Sequence, residues 1–131
     1  MINDIWFAGV IDSDGFISIN KRKNRYIVKV GLVWKNSSLT DIILKNIQQE
    51  YGGHLTYEKQ KNNLGISDCI RWRVEARLAE NVIERILPHL ILKKQEGELC
   101  LMSRKIMKNK GKNNHVQEKM FYECKELKKL H

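Results

Sequence analysis

An α+β fold is predicted for this chain of 131 residues, with elements in the coarse order αββαββαα followed by a linker and one more helix. Three observations carry that prediction. The hydrophobic period switches between about 3.6 and 2 residues and back, twice along the chain. Gly, Asn, Asp and Ser stand at the switches, where chains turn. Hydrophobic residues make up 42%, with eight Gly and a single Pro, which describes a folded domain rather than a low-complexity or collagen-like chain.

Asn3 or Asp4 can cap a first helix through Trp6-Phe7-Ala8-Gly9-Val10-Ile11, stopped at Asp14-Gly15. This helix has no polar face, so it must be buried on all sides, against its own core and against another helix. Phe16-Ile17-Ser18-Ile19-Asn20 then reads as a strand and Lys21 to Arg25 as a basic hairpin turn. Tyr26 to Trp34 reads as a second strand with Val28, Val30, Leu32 and Trp34 on its core face. Asn36-Ser37-Ser38 caps a helix with apolar Leu39, Ile42, Ile43, Ile47 and Tyr51, stopped by Gly52-Gly53. His54 to Lys59 and Cys69 to Glu75 form a second hairpin around a polar loop, Gln60 to Asp68. The later strand alternates Ile70, Trp72, Val74 against Arg71, Arg73, Glu75. Leu78, Val82, Ile83, Ile86 and Leu87 mark a third helix up to Pro88, and Gln95 to Met107 a fourth with Leu99, Met102 and Ile106 on one side. The domain is placed at residues 1–107. Residues 108–131 read as a basic linker, opening with Asn109-Lys110-Gly111-Lys112-Asn113-Asn114, and an appended helix from Val116 to Leu130.

The 24 Lys+Arg against 15 Asp+Glu leave a net charge of +9, the footprint of a protein that meets a polyanion, with nucleic acid the leading partner. No apolar run approaches the roughly 20 residues of a membrane span, and the N-terminus lacks the basic head and apolar run of an export signal. An intracellular place is therefore expected, in cytoplasm, nucleoid or organelle matrix. Cys69, Cys100 and Cys124 are odd in number and far apart, and read as reduced thiols. His54, His89, His115 and His131 show no metal spacing, so zinc is not expected.

Ala8, Gly9 and Ser13 are small residues at neighbouring helical positions, the kind that let a second helix approach to backbone contact. Asp14 stands where the helix ends, so its carboxylate and the freed carbonyl of Ser13 could serve a hard divalent ion as oxygen ligands. Asp-Ser-Asp-Gly is also an ordinary helix terminus followed by a turn. An EF-hand is excluded, because no glutamate closes a 12-residue loop.

The nine residues Phe7-Ala8-Gly9-Val10-Ile11-Asp12-Ser13-Asp14-Gly15 resemble the signature of the LAGLIDADG homing endonucleases, and the resemblance covers roughly residues 4 to 107. It implies an αββαββα fold with a curved antiparallel sheet and a C-terminal helical extension. The implied activity is site-specific cleavage of double-stranded DNA with Mg²⁺ or Mn²⁺, by a homodimer on a long pseudo-palindromic site. An RNA maturase or a non-cleaving DNA-binding protein on the same scaffold is the alternative. By resemblance, Asp14 matches the metal-binding acid, Ser13 the position whose carbonyl assists, and Asp12 a supporting residue. Ala8, Gly9, Asp12 and Ser13 match the dimer seam. Lys93, in Pro88-His89-Leu90-Ile91-Leu92-Lys93-Lys94-Gln95, matches the active-site lysine. A glutamine of the family falls on Asn36 without a gap or on Lys35 with a one-residue slip, and an arginine of some relatives falls on Thr40, a departure from the pattern.

On such a scaffold one sheet face enters the major groove, where base edges are distinguishable. By alternation its candidates are Ser18, Asn20, Arg22, Lys29, His54, Thr56, Arg71 and Arg73, with Leu55 and Tyr57 able to exchange roles with His54 and Thr56. Lys21, Lys23 and Arg25 in the turn suit phosphates, and Lys59 on the third strand joins the DNA-binding set.

Overall fold

Asn3 fixes where the first helix begins: its Oδ1 accepts the Trp6 N–H at 2.8 Å in the computed structural model, which describes residues 2–23, 25–62, 65–108 and 114–131. Helix α1 (Asp4–Asp14) buries Phe7, Ala8 and Ile11. It passes directly into strand β1 (Gly15–Arg22). A Cβ at Gly15 would stand 2.6 Å from the Ile11 side chain and 2.9 Å from the Gly31 carbonyl oxygen, so only glycine permits so abrupt an exit.

Strand β1 pairs antiparallel with β2 (Arg25–Lys35), from Gly15 opposite Leu32 to Arg22 opposite Arg25. The turn is therefore tighter than the sequence suggested: Lys21, Arg22 and Arg25 belong to strands. Lys23 takes φ 54°, and residue 24 lies outside the described residues. The second hairpin shows the same trend. Strands β3 (His54–Asn62) and β4 (Gly65–Glu75) run through most of the stretch expected as a loop, leaving only residues 63 and 64 outside the description. Polar composition pointed to a loop, but the backbone ladder satisfies its own hydrogen bonds whatever the side chains are. The sheet order is β1-β2-β4-β3, antiparallel throughout.

Helix α2 (Ser38–Tyr51) opens with a capping box, the Ser37 Oγ accepting the Thr40 N–H at 3.1 Å and the Thr40 Oγ1 accepting the Ser37 N–H at 2.9 Å. It buries Leu44, Ile47 and Tyr51. Leu39 and Ile42, expected on its core face, are exposed, because the helix is rotated to lay the Leu44–Tyr51 side against β3 and β4. Helix α3 (Ala76–Ile86) buries Ala79, Val82, Ile83 and Ile86 and runs into a short 3₁₀ turn, Leu87–His89, at Pro88. Leu78 is half exposed rather than buried. Helix α4 (Lys94–Lys108) turns Glu96, Gly97, Cys100 and Ser103 inward, whereas Leu99 and Met102, predicted as its core stripe, line a groove against helix α5 (Asn114–Lys128).

The helices cover one face of the sheet. Ile17, Ile19, Val28, Val30, Leu32, Ile70, Trp72 and Val74 fill the interface, and the Phe7 ring stacks on Tyr51 at 4.5 Å and meets Trp72 edge-on at 5.3 Å. Helix α5 is part of this core, which corrects its reading as an appendage: Met120, Phe121 and Cys124 are buried, and Phe121 sits 5.9 Å from the Tyr26 ring. Its far end is fastened where His131 Nε2 meets the buried Glu96 carboxylate at 2.6 Å. The linker residues 109–113 lie outside the described residues. The three cysteines are free and buried, and among the described residues no helix is long and apolar enough to cross a membrane.

One polar cluster ties three helices at a corner. Tyr51 Oη donates to Asp4 Oδ1 at 2.7 Å, and Arg85 Nη2 reaches both Asp4 at 2.9 Å and Glu50 at 2.7 Å. Burial tends to raise the pKa of Asp4, but the Tyr51 hydroxyl and the Arg85 guanidinium outweigh it and hold the carboxyl below its ordinary 3.8. A carboxyl lowered by folding contributes stability above its unfolded pKa and loses it as pH falls through the folded value. Asp4→Asn should therefore flatten the acid limb of the stability curve between about pH 5 and pH 2, checked by urea unfolding at stepped pH.

Candidate active site and nucleic-acid interface

The last turn of α1 is where the signature residues meet the rest of the chain. Both oxygens of the Asp12 carboxylate are engaged: Oδ2 accepts the Ile91 N–H at 2.7 Å and Oδ1 the Lys93 N–H at 3.0 Å. The Lys93 ammonium donates in return to the Asp12 main-chain carbonyl. The loop between the 3₁₀ turn and α4 is thus clamped onto the end of α1, which brings Lys93 within two residues of Asp14 along that helix. Charge-assisted bonds of this kind are worth about twice neutral ones.

Asp14 is exposed, and its Oδ2 accepts the Trp34 Nε1–H at 3.1 Å. Trp34 shares the parity of Val28, Val30 and Leu32 but is only partly buried, and its indole N–H is what reaches the site. Sequence reasoning placed it in the core from its apolar body; the amphipathic character of tryptophan was the available signal. Ser13 is also exposed, its hydroxyl donating back to the Gly9 carbonyl at 3.0 Å and lying 3.3 Å from that of Val10. At the end of β2, Lys35 is exposed on the face away from the helices, its carbonyl accepting from Thr40 Oγ1 at 2.7 Å. The Asn36 N–H donates to the Asp68 carbonyl at 3.0 Å. Among the described residues no hydrogen bond links Lys35 or Asn36 to Asp14 or Lys93. No three His, Cys, Asp or Glu side chains converge among the described residues, so Asp14 offers a single carboxylate to a cation.

The outward side of α1 carries Ile5, 68% exposed, and Trp6, 38% exposed, followed by Gly9 and Ser13. A Cβ at Gly9 would meet nothing within 4 Å, so the helix backbone is open to approach there. Two expected seam residues are placed differently. Ala8 is fully buried in the core of its own chain, about 100° around the helix from Gly9, and the Asp12 carboxylate is occupied by the 91–93 loop.

On the sheet, register settles which residues share the face away from the helices. His54 pairs with Arg73 and Thr56 with Arg71, Ser18 with Lys29, and Arg22 with Arg25, so these lie on the outer face together with Asn20. Leu55 and Tyr57 pair with Trp72 and Ile70 on the helix side. Three expectations change. Ser18 is on the outer face but only 5% exposed, its hydroxyl spent on Asn20 Oδ1 at 3.0 Å. Lys21 pairs with the buried Tyr26 and stands 5.8 Å from its ring, so it leaves the sheet on the helix side. Lys59 shares the parity of Leu55 and Tyr57, again opposite His54 and Thr56. The outer face also holds acids that sequence reasoning did not single out. Glu58 binds Arg71 Nε at 2.9 Å, and Glu75 lies 3.4 Å from Arg22 and 3.9 Å from Arg73. Burial lowers the pKa of Lys29; Glu75 opposes that shift, and Arg22, Arg73 and Arg71 reinforce it.

Comparison with known proteins gives a consistent set. No family model matches the chain. The DNA endonuclease I-CvuI of Chlorella vulgaris is 32% identical over 110 residues, covering 79% of this chain, so the chain spans 65% of the length of that curated relative. The crystal structure of homing endonuclease I-CvuI in complex with its target, in the presence of calcium, superposes with TM-score 0.71 at 24% identity, over 95% of this chain and 80% of that one. The archaeal intron-encoded homing endonuclease I-Vdi141I complexed with DNA gives TM-score 0.73 at 16% identity, over 95% and 82%. The LAGLIDADG meganuclease I-AabMI bound to uncleaved DNA gives 0.58 at 16%, over 88% of this chain and 44% of that one.

Removing the clamp has a local signature. In Asp12→Ala, amide hydrogen exchange at Ile91 and Lys93 should quicken by about tenfold or more, with a loss of about 2 kcal/mol in global stability. Unchanged protection at both amides would contradict the geometry.

Proposed function

We propose that the chain is a member of the LAGLIDADG homing endonuclease family and acts as a site-specific double-stranded DNA endonuclease, hydrolysing phosphodiester bonds with a divalent metal ion as a homodimer on a long pseudo-palindromic site, a reading supported by the likeness to DNA endonuclease I-CvuI in sequence and in fold. The observation that carries this reading is the Asp12 clamp, which gathers Lys93 and the exposed Asp14 at one helix end although they are far apart in sequence.

The residues present fit a hard cation as a half-site. Asp14 supplies one carboxylate, with Oδ2 held by Trp34 and Oδ1 without a protein donor among the described residues, and the Ser13 carbonyl lies at the same helix end. The remaining ligands would be phosphate oxygens, water and the same helix end of a second subunit. Bound there, Mg²⁺ or Mn²⁺ supplies Lewis-acid stabilisation of the scissile phosphate and an acidified water. The chain's own work is positioning. Trp34 fixes the orientation of the Asp14 carboxylate. Lys93, anchored on the Asp12 carbonyl, keeps a positive charge where negative charge grows on the phosphate. Lys35 and Asn36 stand at the end of β2, where they can order water beside the strand. All three thiols are buried, so attack by water rather than by cysteine is the chemistry this site supports.

A second copy accounts for the open stripe on α1. Ile5, Trp6 and Gly9 of two chains packed face to face would bury apolar surface left exposed in one, and would set the two Asp14 carboxylates about the dyad. The outer sheet face, with Arg22, Lys29, Arg71 and Arg73 beside Asn20, His54 and Thr56, suits the major groove, and Lys23 and Arg25 at the hairpin tip suit phosphates.

Asp14→Asn should lower cleavage of a target duplex in Mg²⁺ by about a thousandfold or more while DNA affinity in Ca²⁺ stays near that of the parent; metal-dependent cutting by this variant would refute the role of Asp14. A Cβ at Gly9 meets nothing within 4 Å in its own chain, so Gly9→Leu should leave the monomer folded, yet weaken self-association by about tenfold or more in sedimentation equilibrium.

A further inference from the structure

The outer face of the sheet carries two carboxylates where a polyanion has to approach. Glu58 on β3 accepts from Arg71 Nε at 2.9 Å. Glu75, opposite Lys29 in the sheet register, stands 3.4 Å from Arg22 Nη1 and 3.9 Å from Arg73 Nε. Neither acid is explained by stability, since partly exposed pairs of this kind contribute at most about 1 kcal/mol. Neither is explained by affinity either, because each repels phosphate and cancels one of the cations beside it.

The geometry of the pairs suggests what they do. Glu58 engages Arg71 through Nε and leaves the two terminal nitrogens as a fork. That fork matches the O6 and N7 acceptors of guanine, and a guanidinium tethered at Nε is not free to swing to the nearest phosphate. Resting on the endonuclease reading above, we propose that Glu58 and Glu75 are specificity-determining residues: they hold Arg71, and more loosely Arg22 and Arg73, as oriented guanine readers and penalise binding to DNA of the wrong sequence. They are positioning residues that act through the arginines.

The test compares the full chain with Glu58→Gln, Glu75→Gln, Arg71→Ala, Arg71→Lys and Glu84→Gln, the last an exposed acid on α3 away from the sheet face. The probe is a randomised duplex library in Ca²⁺, with binding to a random-sequence duplex followed against salt and thermal unfolding recorded for each variant. Glu58→Gln is expected to lose about tenfold discrimination at the base-pair position whose preference Arg71→Ala also removes, and to bind random duplex several-fold more tightly with a steeper salt dependence. Arg71→Lys, which keeps the charge without the fork, should lose the same preference. Glu75→Gln should relax a different position, and Glu84→Gln none. A merely structural role would lower the unfolding temperature and leave the base preferences standing. Unchanged preferences in folded Glu58→Gln or in Arg71→Lys would overturn the proposal while leaving the endonuclease reading intact. A parent chain that selects no sequence at all would overturn that reading instead.

Discussion

Between its acidic ends helix α1 is apolar on every side, from Ile5 to Ile11, and the chain buries only part of that stretch. Phe7, Ala8 and Ile11 enter the core beneath the sheet, where they meet Tyr51 and Trp72. Ile5, Trp6 and Gly9 are left outside. This split organises the rest of the structure. The inward side fixes the helix against the sheet, so that β2 brings Trp34 to the carboxylate at its end. The outward side leaves Ile5 and Trp6 bare in the single chain.

At the same helix end one carboxylate takes up the structural hydrogen bonds while another stays exposed. Asp12 and Asp14 are two residues apart, yet one has both oxygens committed to backbone N–H groups and the other is exposed with a single indole donor. Helical geometry turns them about 200° apart around the axis, one toward the loop before α4 and the other toward β2. Composition alone cannot assign those roles; direction around the helix does.

The element order, the cap at Asn3, the stop at Gly15 and the alternation of Ile70, Trp72 and Val74 against Arg71 and Arg73 were all legible in the sequence, because each depends on neighbours within a few residues. The face of β3 was open on pattern alone and is settled by pairing with β4. Leu39, Ile42 and Met102 were misplaced because helical periodicity states that a stripe exists without stating which neighbour will cover it. The burial of Ala8 and the role of Trp34 depend on contacts across the sheet, and Glu58 and Glu75 were passed over because a search for cations reads past the acids that restrain them. The signature was legible as a helix end carrying an exposed carboxylate; the clamp that joins it to Lys93 needed the fold.

Helix α5 closes over the first strand and the start of β2, with Phe121 against Tyr26 and Cys124 buried in the same core. Strand β1 is made long before α5, so the part of the first hairpin that α5 covers stays bare until that helix follows. Contacts this distant in sequence slow folding and leave greasy surface bare in the interim. A version lacking α5 would leave the Tyr26 side of that hairpin without this cover.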